Sequence, residues 1–121
     1  MPALAIEPTP TAQVVRPSLD YVVLFKEQKF SEAIARARVA AIANTLVQAL
    51  VEVDPEGDYT MILSQSKQFD WAIVDLRIQP NMLIAEAIGR TEAALLLREL
   101  VRIDPSNQRR YAIARVGQLG A

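Results

Sequence analysis

The chain has 121 residues, 51% of them hydrophobic, and a formal net charge of −1. That is the length of one domain with ample apolar content for a core, and with no basic excess to recruit nucleic acid or an anionic membrane. Cys and His are both absent, which excludes disulfides, thiolate nucleophiles, zinc fingers, imidazole bases and Ser-His-Asp triads together.

Residues 1–17 carry Pro2, Pro8, Pro10 and Pro17 among Thr and Ala, so a disordered or extended N-terminal arm is expected ahead of a single domain over 18–121. Glu7 and Pro8 break the N-terminus too early for a signal-peptide core. No run approaches the roughly 18 uncharged apolar residues of a membrane span. A cytoplasmic protein is the expectation.

Asp20 to Phe25 is a β-branched and aromatic run that predicts a first strand. Ser31 offers an N-cap to an Ala-rich segment reaching Val53, read as a long helix that Asp54-Pro55 stops. Tyr59 to Leu63 reads as a second strand and Asp70 to Ile78 as a third. Asn81 then opens a second helix to about Ile103, closed by Asp104-Pro105, and Tyr111 to Val116 is the fourth strand.

The second half repeats the first at an offset of fifty. Asp20-Tyr21 maps onto Asp70-Trp71, Ser31 onto Asn81, Ile34-Ala35 onto Ile84-Ala85, Leu50-Val51 onto Leu100-Val101 and Asp54-Pro55 onto Asp104-Pro105. Because strand signals, caps and stops fall in step, an internal duplication over about 19–65 and 69–118 is predicted. Two tandem βαβ units suit an α+β fold of the ferredoxin-like order βαββαβ, with both helices on one face of an antiparallel sheet. The alternative is all-α, built of helical hairpins, since short apolar runs are ambiguous by periodicity.

Alternation along the third strand puts Ala72, Val74, Leu76 and Ile78 on one face, and the unbroken apolar character of that face assigns it to the helices. Trp71 and Ile73 then point outward. The repeat places Tyr21, Val23 and Phe25 with them, and parity adds Tyr59, Met61, Tyr111 and Ile113. An apolar, aromatic open face of this kind needs a cover. A second copy of the chain, packed as a symmetric dimer, is the leading expectation, and another protein is the next. RNA stacking on Tyr21 and Trp71 is set aside, because "FDWAIVDL" lacks the Arg/Lys-Gly-aromatic start of RNA-recognition strands.

Chemistry is sparsely encoded. Glu52, Asp54, Glu56 and Asp58 crowd one turn, but the spacing of Gly57 does not fit a calcium loop. Arg98, Arg102, Arg109 and Arg110 make the C-terminal quarter basic and are candidates for an acidic partner or a phosphate. No Gly-rich phosphate loop occurs, and Asp70 and Asp75, five residues apart on a strand, fall on opposite faces, so no cofactor, metal site or catalytic residue is assigned. The functional expectation is a non-enzymatic interaction or assembly module that self-associates. A small-molecule-binding dimeric α+β barrel or cofactor-free enzyme is the alternative, and the aromatic face serves either.

Overall fold

A computed structural model describes residues 14–27, 30–77, 81–107 and 110–119. The chain is α+β, with strands β1 (Val14–Val15), β2 (Tyr21–Lys26), β3 (Ser31–Ala37), β4 (Asp58–Leu63), β5 (Trp71–Asp75), β6 (Asn81–Ala87) and β7 (Tyr111–Arg115). Its helices are α1 (Ala40–Val53) and α2 (Arg90–Ile103). One seven-stranded sheet runs β4-β2-β3-β6-β5-β7, antiparallel throughout, with the short β1 added in parallel to β6.

This arrangement is not the ferredoxin-like order. Each repeat is ββαβ, because the stretch expected to begin each helix is instead a strand: Ser31 and Asn81 open β3 and β6 rather than capping helices. The helices start only at Ala40 and Arg90, behind extended N-cap residues Val39 and Gly89. Intrinsic propensity favours helix for SEAIARA, and sheet pairing overrides it. β3 pairs with β2 along its whole length and with β6 at Ala35↔Ala87, Arg36↔Glu86 and Ala37↔Ala85. The C-terminal stops lie where the sequence places them, with Asp54 N donating to Leu50 O and Asp104 N to Leu100 O.

The central β3–β6 pairing lies on a pseudo-dyad. The offset of fifty carries Arg36 onto its own cross-strand partner Glu86, and the backbone bonds Arg38 N to Ile84 O and Ile88 N to Ile34 O, both 2.8 Å, exchange under it. A bulge is duplicated as well. The β2–β3 register slips between Val23/Leu24, leaving Ile34 as the extra residue, and the β5–β6 register slips between Ile73/Val74, leaving Ile84. The bulge turns Ile34 with Ala35, and Ile84 with Ala85, into one cluster with Leu46, Leu50 and Leu96 of the helices. Burying each isoleucine is worth roughly 1.5–3 kcal/mol.

The helices lie side by side over one sheet face. Alanines at 35, 37, 85 and 87 let them approach the central strands closely. On the other face, a second cluster joins Ala72, Val74, Leu83 and Ala114 to Val14 and Leu19 before β2, and to Val116 and Leu119 after β7. Of the expected N-terminal arm, residues 1–13 lie outside the described residues, whereas Val14 is buried and hydrogen-bonded into the sheet.

Candidate functional site

The faces of the sheet are assigned the other way round from the sequence expectation. Tyr21, Phe25, Tyr59, Met61, Trp71, Tyr111 and Ile113 are partly buried and pack against the helix-side cluster, in which Val23 and Ile73 are fully buried. Ala72, Val74 and Leu76 face away from the helices; Ile78 lies outside the described residues. Strand parity is correct, since each alternating set does share a face. What parity leaves open is the sign, and β5 is buried on both faces, by helices on one side and by the chain's own flanking segments on the other.

The aromatic set therefore belongs to the intramolecular core rather than to an open surface. The Arg115 guanidinium lies 4.8 Å from the Trp71 ring centroid, a cation–π contact that seals the sheet end. The rings of Phe25 and Tyr59 meet at 5.1 Å and an interplanar angle of 36°. Tyr59 donates its hydroxyl to Asp54 Oδ2 at 2.8 Å. Burial, and then that hydrogen bond, push its phenol up to about 12. Gly57 makes room for the pair, since a Cβ there would lie 2.5 Å from both Asp54 Oδ2 and Tyr59 Cε2.

Three ion pairs consume the buried carboxylates. Glu86, 1% exposed, accepts from Arg36 Nε at 2.7 Å and from the backbone N–H of Phe69 at 3.0 Å through the same oxygen. Arg36 reaches on to Ser66 O at 3.2 Å. Asp75 receives Arg110 in a two-pronged grip, Nε to both oxygens at 3.1 Å and Nη2 to Oδ2 at 2.8 Å, plus the N–H of Arg77 at 3.0 Å. Burial opposes its ionisation, but the bonds from Arg110 and Arg77 prevail and hold its carboxyl below the usual range. On α2 the hydrogen bonds from Arg102 to Glu99 likewise lower Glu99.

Of the basic candidates, Arg102 and Arg110 are thus engaged within the fold, Arg98 is exposed on α2, and Arg109 lies outside the described residues. The sequence singled out Arg110 but missed its partner, Asp75, and missed the Arg36–Glu86 pair. A signal for the latter exists: Arg36 between Ala35 and Ala37, and Glu86 between Ala85 and Ala87, is the period-two pattern of a strand.

What remains exposed is concentrated in the first repeat. β4 forms one edge of the sheet, with Ile62 at 39% and Leu63 at 70% exposure. Its counterpart at the opposite edge, β7, buries Ala112 and packs Ala114 with Val116 and Leu119 of the C-terminal turn. Phe30 (61%) and Ile88 (40%) stand beside the N-terminal end of β3. No helix is long and apolar enough to cross a membrane, and no acidic cluster suited to a metal ion occurs, among the described residues. Comparison with protein-family models, curated proteins and solved structures finds no match to this chain.

Proposed function

We propose that the protein is a non-enzymatic assembly module that self-associates by adding a strand at the β4 edge of its sheet. The observation that carries this reading is the state of that edge. Asp58–Leu63 is six residues long, pairs only with β2 among the described residues, and leaves Ile62 and Leu63 exposed. The edge strand has no Lys and no Pro, and its one charge, Asp58, stands at its very start. Antiparallel pairing of two β4 strands about Thr60 and Met61 would set the two Asp58 carboxylates at opposite ends of the contact, where they do not repel.

The buried acids Asp75, Glu86 and Glu99 are each bound by an arginine of the same chain, which leaves them unsuited to proton transfer with a substrate. The expected measurement is sedimentation: the parent associates as concentration rises, and Ile62→Lys with Leu63→Lys reduces the assembly while circular dichroism stays that of the parent. A parent that is monomeric at high concentration, or a variant that associates as the parent does, refutes the reading.

A further inference from the structure

The Arg36–Glu86 pair stands where the pseudo-dyad crosses the sheet, between two units that each hold their own ladders. β2 pairs with β3 and β4, and β5 with β6 and β7. The units meet along their neighbouring helices and at β3–β6, a ladder of three residue pairs against five or six within a unit. β1, ahead of the first unit, adds to β6 of the second. On the helix side of the β3–β6 seam both strands present alanines, at 35 and 37 and at 85 and 87, so shape there does not tell one unit from the other. Charge does. Docking β3 on a second β3 would set Arg36 against Arg36, and docking β6 on a second β6 would oppose two Glu86 carboxylates, each 1% exposed in the native pair. Like charges opposed across a buried seam are destabilising.

We infer that the β3–β6 seam is an exchange interface between two copies of this chain: the second unit of one copy docks on the first unit of the other, and Arg36 with Glu86 determines that only unlike units pair. The fold itself identifies the occupant, because the surface a second copy offers is the one that the chain's own second unit already fills. The connection between the units has no strand or helix from Ser64 to Asp70 and exposes Gln65, Lys67 and Gln68. It crosses four strand spacings, about 19 Å, from Leu63 of β4 to Trp71 of β5. The eight residue steps between them reach at most about 28 Å, which is enough for the closed form. Its middle is held by the same two side chains, Arg36 Nη1 donating to Ser66 O at 3.2 Å and Glu86 Oε1 accepting from Phe69 N at 3.0 Å. In the exchanged pair every contact between units is remade with the other copy. Linker conformation and the entropy of association then set the balance between the two forms.

This contact goes beyond the β4 edge and does not rest on it, since β4 keeps β2 as its partner in either form.

Two experiments on the full chain test the exchange, both in an Ile62→Lys/Leu63→Lys background that disables the β4 edge. Deleting Gln65–Gln68 leaves four residue steps, about 14 Å of reach against the 19 Å to be crossed, so the units of one chain no longer meet. The expected result is a folded dimer in sedimentation, with the circular dichroism of the parent. In the second experiment, Arg36→Glu and Glu86→Arg variants are unfolded and refolded separately and as an equal mixture. Each variant alone opposes like charges across its own seam, whereas exchange between the two sets Glu against Arg at both seams. Native mass spectrometry of the mixture should then show a heterodimer of the two variants about tenfold or more in excess of either homodimer. A deletion variant that stays a folded monomer, or that loses its fold, overturns the inference. So does a mixture in which the heterodimer is no more abundant than the homodimers.

Discussion

Glu86→Ala would remove the side-chain partner of Arg36 on the pseudo-dyad and, at the same time, the acceptor of the buried Phe69 N–H. Deleting one member of a buried pair costs about 3–5 kcal/mol, and an orphaned buried N–H about 1–3 kcal/mol. The two are not additive, and Arg36, 20% exposed, can turn partly to water, which moves the expectation to the lower part of the range. About 3 kcal/mol, or roughly 10 °C in melting temperature, is expected for a domain of this size. Replacing both partners, Arg36→Met with Glu86→Leu, leaves the buried Phe69 N–H unsatisfied and the part-exposed Ser66 carbonyl to water, and should cost about 1–2 kcal/mol, less than the single change. Urea unfolding followed by the fluorescence of Trp71, the single tryptophan, measures each variant, and adding Arg36→Met and Glu86→Leu singly closes the double-mutant cycle. A Glu86→Ala variant within about 0.5 kcal/mol of the parent, or a double variant no better than the single one, would refute the reasoning.

Leu46, 1% exposed at the centre of the helix-side cluster, should lose about 2–5 kcal/mol on replacement by Ala, read in the same urea assay. The Asp75 carboxyl lies below its unfolded value, so its stabilising contribution is complete above the ordinary carboxylate range and is lost as pH falls through the folded pKa. Asp75→Asn should accordingly flatten the acid limb of a stability–pH profile and lower stability at pH 7. Tyr59 has the opposite linkage: its phenol is raised to about 12, so the stability it confers holds below the unfolded value near 10 and fades as pH rises from there. Ultraviolet titration should find Tyr59 ionising late, and Asp54→Asn should bring it earlier.

The Asp-Pro helix stops, the presence of strands within the runs Asp20–Phe25 and Asp70–Ile78, the second of which ends early at Asp75, and the pairing of alternating residues onto common faces were readable from residue order, because each depends on local chemistry: fixed φ at proline, β-branching, and a side-chain period of two. The tertiary structure alone decided two matters of the fold. SEAIARA and NMLIAEA have helix-forming compositions, and they are strands because each completes a ladder with partners far along the chain and places Arg36 against Glu86, an energy no local propensity contains. The sign of the faces was open for the same reason. A strand with apolar residues on both sides, such as Trp71–Asp75, does not say which side meets the helices until the flanking segments at Val14, Leu19, Val116 and Leu119 are seen to cover the other.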